Sequence, residues 1–147
     1  ELGGALAGAT PAERNALRAY GMALGTAYQI YDDCLDLFGT ESKAGKSLGT
    51  DLATGKITLP LLVVLENASE SEREMLENAL DTLEPDDFGR IFELLRKYSA
   101  LSVTRRVVNQ YIKQAQQLLR ELKQSKGVDA LSALGEYLAQ QTGALGV

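Results

Sequence analysis

The sequence contains no histidine or tryptophan and has a single cysteine, Cys34. Most zinc sites and the usual Ser-His or Cys-His nucleophiles are therefore excluded, because they need histidine or several cysteines. A single cysteine also cannot form an internal disulfide, which favours a reducing compartment and predicts a cytoplasmic protein. Any chemistry of this chain must depend on carboxylates, lysines and amides.

Basic clusters and long apolar runs are equally scarce. The formal net charge is −5, and the sequence has no dense Lys/Arg segment to neutralise nucleic-acid phosphates. No apolar run approaches the roughly 18–20 residues that a membrane helix needs, and no signal peptide is recognisable. We expect no nucleic-acid partner and no transmembrane segment.

The residues that are present favour one compact helical domain. The 147 residues are 45% hydrophobic and 24% charged, which is enough to form a core. Apolar side chains recur at helical steps, and no strand-like alternation of useful length is present, so we predict an all-α helical bundle. Glu1 leads directly into a small-residue apolar segment that is typical of a helix cut part-way. We therefore expect the chain to be a fragment of a longer protein.

Capping and breaker residues predict where the helices begin and end. Thr10, Pro11 and Glu13 are typical of a helix start, with Thr10 as the N-cap and Glu13 completing a capping box. Glycine, serine, threonine and lysine concentrate in a loop at 39–55, and Gly127 is expected to interrupt the chain. The predicted helices cover residues 11–38, an apolar segment that opens at 58–60, a segment from 69 or 71 to 83, and residues 84–98, 101–122 and 128–141.

The first long helix carries an acidic stripe near its C-terminal end. At about 100° per residue, its polar side chains share an arc of roughly 100°: Gln29, Asp32, Asp33 and Asp36. The remaining circumference is apolar, which predicts a buried helix. No Lys or Arg lies in the stripe, so the carboxylates must either bind protons or bind a cation. Because Mg²⁺ prefers oxygen ligands, the cation is the better interpretation.

The bland alternative is an acidic helix face exposed to solvent, which is what most Asp-Asp-x-x-Asp strings are. The apolar surroundings of this stripe favour a metal role over that alternative. Gly25 and Gly21 lie one and two turns before Gln29, and they are expected to allow close helix packing, to leave room for a bound group, or both. Cys34 is expected to pack in the core.

Two lysines follow the acidic stripe in the glycine-rich loop. Lys46 and Lys56 each come directly after a glycine, which lets the backbone approach a ligand closely, and lysine supplies a point charge for phosphate. The segment is not a P-loop, because Thr40 stands where the first glycine should be and no strand precedes it. Either lysine taken alone would be read as a solvated loop residue. Acids for a metal beside lysines for phosphate indicate a diphosphate site.

The segment Gly25–Gly39, GTAYQIYDDCLDLFG, and the later GKSLGTDLATGKITLP closely resemble the polyprenyl synthetase family. They match its second aspartate-rich motif and the lysine loop that follows, and the match is dense from about Gly21 to Leu62. The GKxTLP ending looks more like bacterial and long-chain members than like animal farnesyl diphosphate synthases. The resemblance implies that residues 1–147 are the C-terminal portion of a polyprenyl synthetase domain, with the isoprenoid synthase fold.

The resemblance also implies a function, that of a prenyltransferase condensing isopentenyl diphosphate with an allylic diphosphate. In this family Mg²⁺ bridges two aspartate-rich motifs and the allylic diphosphate and promotes its ionisation. By position, the expected metal ligands, direct or through water, are Asp32, Asp33 and Asp36. Lys46 and Lys56 are expected to bind the allylic diphosphate, Gln29 to lie near the reacting group, and Asp51 to order the loop or act from an outer shell.

The chain also departs from the family pattern. The first aspartate-rich motif and the residues that bind isopentenyl diphosphate would precede Glu1, so we expect this chain alone to be inactive. The usual basic residue near the C-terminus is not evident, since Gln140 and Gln141 stand there. A non-catalytic regulatory subunit of a heteromeric prenyl synthase is the main alternative, and a terpene cyclase is disfavoured by the lysine loop. The resemblance further suggests a homodimer.

Overall fold

The computed structural model describes residues 1–39, 49–82 and 84–146. Within these ranges 81% of the residues are helical and none forms a strand. The prediction of an all-α protein is therefore confirmed. The helices of the described ranges are α1 (Leu2–Leu6), α2 (Pro11–Phe38), α3 (Thr50–Ala53), α4 (Leu59–Asn67), α5 (Glu70–Thr82), α6 (Pro85–Lys97), α7 (Ala100–Leu119) and α8 (Lys126–Gly143).

Local capping explains where several of the described helices begin. The Thr10 amide donates to the Glu13 carboxylate over 2.8 Å, and the Glu13 amide donates back to the Thr10 hydroxyl over 3.3 Å. This is the capping box that the sequence predicts at the start of α2. Helix α5 begins with half of such a box, since the Ser69 amide donates to the Glu72 carboxylate over 3.3 Å and the Ser69 hydroxyl does so over 2.8 Å. Both predicted starts are confirmed.

The boundaries of α7 and α8 differ from the prediction. Helix α7 ends at Leu119, three residues early, and the turn after it uses tighter bonds, such as Leu122 N–H to the Leu119 carbonyl at 3.1 Å. Gly127 lies within the first turn of α8 instead of interrupting the chain. The physical reason is Ser125, whose hydroxyl accepts from the Val128 amide over 3.3 Å and caps a helix that starts before the glycine.

The chain divides into two compact units, each with its own core. The first comprises Glu1–Gln29 and Val107–Ala144. Its buried side chains come from α2, α7 and α8, and they include Tyr20, whose hydroxyl donates to the Leu131 carbonyl over 2.8 Å. Burial of this phenol raises its pKa above the ordinary value.

The second unit comprises Ile30–Arg106 and the segment that begins at Leu145. Its largest core cluster joins α4, α5 and α6 through side chains such as Leu61, Leu76 and Ile91, all at most 1% exposed. Each buried aliphatic side chain of this size stabilises the fold by about 1.5–3 kcal/mol. This core supports the end of α2 and the residues after it, which are the sequence's candidate site.

None of the helices that the structure describes is both long enough and apolar enough to cross a membrane.

Candidate functional site

The last turns of α2 are buried as the sequence predicts. Asp33 is 9% exposed and Asp36 only 2%, while Asp32 is partly buried and Gln29 is exposed. The apolar side chains between them, among them Cys34, also lie in the core of the second unit. Two carboxylates therefore lie in an apolar setting where an uncompensated charge would be costly.

The Asp36 carboxylate is held by the backbone and side chain of α3. One of its oxygens accepts from the Thr50 hydroxyl at 2.9 Å and from the Thr50 amide at 3.3 Å, and the other accepts from the Asp51 amide at 2.9 Å. The Gly49 amide donates to the Asp36 backbone carbonyl at 3.0 Å. Asp36 thus caps α3, which begins fourteen residues further along the chain. Its negative charge interacts favourably with the backbone amides at the N-terminal end of that helix.

Gly49 makes this arrangement possible. Its backbone is left-handed, with φ of 75° and ψ of 11°, a conformation that glycine adopts without the steric cost of a Cβ. The turn brings the amides of Thr50 and Asp51 to the side chain of Asp36.

Lys56 supplies the cation that the acidic stripe itself lacks. Its ammonium nitrogen lies 2.8 Å from an Asp33 oxygen and 2.9 Å from an Asp51 oxygen. The Lys56 amide also donates to the Asp51 carbonyl over 2.9 Å. The hydrogen bonds to Asp33 and then Asp51 raise the lysine's pKa well above its usual range, so the ammonium stays charged at neutral pH.

This contact corrects one step of the sequence argument. From the helical stripe alone, protons or a bound cation were the only ways to compensate the carboxylates. The structure provides two more: Lys56 for Asp33, and the N-terminal end of α3 for Asp36. Neither could be read from the periodicity of α2, because both partners come from beyond the helix.

The other residues of the predicted site are placed as follows. Gln29 lies one helical turn before Asp33 on α2. Lys46 lies outside the described residues, so its predicted role stays a prediction. A Cβ added at Gly21 or Gly25 would meet no described atom within 4 Å. The close packing expected at these glycines is therefore not found in the described part of the chain.

Cys34 packs in the core as predicted, at 1% exposure beside Leu35 and Leu145. Burial, together with the nearby charge of Asp33, raises the pKa of its thiol to about 12. A thiol with this pKa is neutral at physiological pH and is not a nucleophile.

Thr50 is the residue that the sequence analysis missed. Two of the three hydrogen bonds to the Asp36 side chain come from it. A signal was available in Gly49-Thr50-Asp51, where a glycine and two polar residues precede an apolar leucine, as at many helix starts. The predicted loop at 39–55 hid this short helix.

A known protein family matches the part of the chain that contains these residues. The model of the family described as polyprenyl synthetase matches residues 1–98, which include the acidic stripe, α3 and Lys56. The chain belongs to the polyprenyl synthetase family. The matched region thus contains the whole of the candidate site.

Individual family members support the assignment. The short chain isoprenyl diphosphate synthase of Methanothermobacter thermautotrophicus is 32% identical over 95% of this chain and 43% of its own length. The crystal structure of a polyprenyl synthase from Roseobacter denitrificans superimposes with a TM-score of 0.84 and 32% identity, covering 95% of this chain and 46% of that one. The fold is thereby confirmed as that of the isoprenoid synthases.

A third relative was solved with ligands. The geranylgeranyl pyrophosphate synthase from Corynebacterium glutamicum, complexed with isoprenyl diphosphate and magnesium, has a TM-score of 0.82 and 28% identity over 95% of this chain and 41% of that one. The present chain spans well under half the length of these family members.

The donor atoms of this polyprenyl synthetase chain fit magnesium in part. No group of three or more metal-ligating side chains is already assembled within the ranges that the structure describes. Magnesium does not need such a group, since it usually takes one or two carboxylates together with waters and substrate phosphates. Asp32 and Asp33 can serve in that way, whereas both Asp36 oxygens already accept hydrogen bonds from α3.

Proposed function

We propose that this chain is the C-terminal portion of a prenyltransferase, a polyprenyl diphosphate synthase that condenses isopentenyl diphosphate with an allylic diphosphate. The observation that carries the proposal is the cluster of Asp33, Asp51 and Lys56, with contacts of 2.8 and 2.9 Å. In this proposal the carboxylate oxygens of the cluster serve a metal and the adjacent ammonium serves a phosphate group. Membership of the polyprenyl synthetase family supports the reaction class.

Each residue of the site has a role in this proposal. Asp32 and Asp33 would hold Mg²⁺, whereas Asp36 would not bind it directly, because its oxygens are engaged by α3. Lys56 and Lys46 bind the allylic diphosphate through their charges. Gln29 lies near the reacting allylic group, and Asp51 acts from the outer shell by orienting Lys56.

The chemistry follows from these charges. Magnesium, when bound, withdraws electron density from the departing diphosphate and so favours breaking its bond to the allylic carbon. Lys56 is held charged by its two carboxylates and stabilises the developing negative charge of the diphosphate. The hydrogen bonds that Lys56 donates to Asp33 and Asp51 hold its ammonium beside the acidic stripe of α2.

The proposal extends to the setting of the enzyme. The second half of the site, with the first aspartate-rich motif, would come from residues preceding Glu1. The whole enzyme would be cytoplasmic and homodimeric, as the resemblance suggests. Light scattering on the full-length protein measures its oligomeric state, and a monomer would contradict that part.

The test is a condensation assay with isopentenyl diphosphate, an allylic diphosphate and Mg²⁺. The full-length protein is expected to form longer prenyl diphosphates, and this chain alone is expected to form none. A full-length protein that folds but makes no product with any allylic diphosphate would contradict the proposal. If activity then appears only on adding a second prenyl synthase component, the regulatory subunit is the better interpretation.

A further inference from the structure

We infer that Asp36 is a positioning residue: its buried carboxylate fixes α3 against the end of α2 and thereby sets where Lys56 meets Asp33. This inference rests on the proposed diphosphate site for its functional consequence. Its structural part stands on the hydrogen bonds of Asp36 alone.

The first step is the saturation of Asp36. Three donors from two consecutive residues, Thr50 and Asp51, reach its two oxygens. The side chain is 2% exposed, so little of it faces any solution ion. Because the Asp36 carboxylate already accepts three hydrogen bonds, its lost hydration is compensated without a metal.

The second step is the route from Asp36 to Lys56. The Asp51 amide is held by Asp36 at 2.9 Å, and the Asp51 side chain holds the Lys56 ammonium at 2.9 Å. The Asp51 carbonyl accepts the Lys56 amide at 2.9 Å as well. Asp51 therefore couples the buried anchor to both the backbone and the charge of Lys56.

The third step is the geometry at the far end. At the far end, the Lys56 ammonium lies 2.8 Å from an Asp33 carboxylate oxygen. Asp33 is three residues before Asp36 on α2, slightly less than one helical turn. The chain leaves α2, is anchored at Asp36, and comes back to α2 through Lys56. Removing the anchor should leave Asp33 in place on its helix while Lys56 loses its fixed position.

The structural arm of the test is amide hydrogen exchange on the full-length protein. Asp36→Ala is expected to accelerate exchange at the amides of Thr50, Asp51 and Lys56 by roughly 10- to 100-fold, because hydrogen bonds to a charged acceptor are lost. Thr50→Ala removes only one hydroxyl bond to Asp36 and should accelerate this exchange roughly two- to tenfold.

Thr54→Ala is the matched control. Thr54 lies just after α3, and among the described residues its hydroxyl donates to the Thr50 and Asp51 carbonyls, at 3.1 and 3.0 Å. Thr54→Ala removes a threonine hydroxyl, as Thr50→Ala does, but this hydroxyl does not contact Asp36. Amide exchange at Thr50 should therefore stay within about twofold of wild type. Unchanged exchange in both Asp36→Ala and Thr50→Ala would overturn the inference.

The functional arm is a double-mutant cycle on the binding of inorganic diphosphate in the presence of Mn²⁺. If Asp36 acts through Lys56, then Asp36→Ala and Lys56→Ala should each weaken diphosphate binding, and the double variant should bind no more weakly than Lys56→Ala alone. Additive losses would show that Asp36 acts independently of Lys56 and would overturn the positioning role.

Mn²⁺ affinity, measured by electron paramagnetic resonance without diphosphate, separates positioning from ligation. Asp32→Ala is expected to reduce this affinity at least tenfold more than Asp36→Ala does. Equal losses would make Asp36 a ligand and overturn the inference. If the wild-type protein binds neither Mn²⁺ nor diphosphate, the proposed function fails, while the exchange results still decide whether Asp36 anchors α3.

Discussion

Two carboxylate–lysine clusters lie in the second unit, and they differ in how charge is balanced. Where the start of α5 meets the end of α6, Glu72 accepts from Lys97 at 2.6 Å, from the Tyr98 hydroxyl at 2.8 Å and from the Ser69 hydroxyl and amide at 2.8 and 3.3 Å. Here one carboxylate has one lysine and three neutral donors. At the end of α2, one lysine is shared by two carboxylates, Asp33 and Asp51.

The difference teaches how to separate a structural ion pair from a site that can take a further cation. The Glu72 cluster is electrically balanced, and its donors belong to elements that pack against each other. In the trio of Asp33, Asp51 and Lys56, two carboxylates share one ammonium, and Asp32 is adjacent on α2. Such a cluster offers oxygen ligands to a divalent ion and a positive charge to a phosphate group.

The largest expected effect is on turnover. In the full-length protein, Asp32→Ala should lower kcat by roughly 100- to 1000-fold while the fold stays intact, because a metal-binding carboxylate stabilises the transition state. Steady-state assays in saturating Mg²⁺ and circular dichroism measure the two quantities. Glu72→Gln is the matched control from the balanced cluster and should leave kcat within about twofold. Wild-type-like turnover of Asp32→Ala in magnesium would contradict the assignment of Asp32 as a metal-binding residue.

A smaller effect is expected at Lys46. Lys46→Ala should raise the KM for the allylic diphosphate by roughly tenfold, with a smaller change in kcat, because a charge-assisted contact to phosphate is lost. Lys43→Ala, which removes an equal charge from the same segment, is the control and should have little effect. An unchanged KM for Lys46→Ala would count against its role.

Replacing Lys56 is expected to change diphosphate binding and Mn²⁺ binding in opposite directions. Lys56→Ala should weaken diphosphate binding about tenfold, yet it should strengthen Mn²⁺ binding without diphosphate by roughly two- to fivefold. The second change follows because the ammonium competes with the metal for Asp33, and an ion pair to a lysine that is 46% exposed is modest. Electron paramagnetic resonance titrations measure both constants. Weaker Mn²⁺ binding would contradict the competition between lysine and metal.

The smallest effect concerns stability and pH at the balanced cluster. Hydrogen bonds from Lys97, Tyr98 and Ser69 lower the pKa of Glu72 from 4.5 to about 2. A depressed pKa in the folded state stabilises the protein above the unfolded pKa, and this contribution disappears as the pH falls from about 4.5 to about 2. At pH 7 the wild-type protein should therefore have a slightly higher melting temperature than Glu72→Gln. This difference should stay constant as long as the pH is well above the unfolded pKa.

Below pH 4.5 this margin should shrink, and thermal scans at several pH values follow it. Lys97→Met is a matched variant, because it removes the partner that contributes most to the shift. In that background Glu72→Gln should have a smaller effect. A margin that grew on acidification would contradict the lowered pKa.

The sequence predicted the helices well where local signals decide them. Thr10 and Glu13 marked the start of α2, and the polar arc with apolar surroundings predicted its buried end. The end of α7 and the start of α8 were misplaced, because a turn of tighter hydrogen bonds and the cap at Ser125 outweighed the glycine.

The candidate site was predicted in its residues but not in its contacts. Periodicity places Asp33 and Asp36 on one stripe, yet their partners are 14 to 23 residues away in sequence, at Thr50, Asp51 and Lys56. Such distances depend on how the chain turns at Gly49, which no helical pattern encodes. The family resemblance supplied the importance of Lys56, and the structure supplied its two carboxylate partners.

The burial of Cys34 has a practical consequence for spectroscopy. It is the chain's single cysteine, and its shielded thiol, with a pKa of about 12, should react slowly with maleimides and methanethiosulfonates. A cysteine introduced at the exposed Thr54 would then carry a spin label or fluorophore almost alone within this chain. The spectral line shape of such a label would follow the mobility of the segment just after α3 as metal and diphosphate are added.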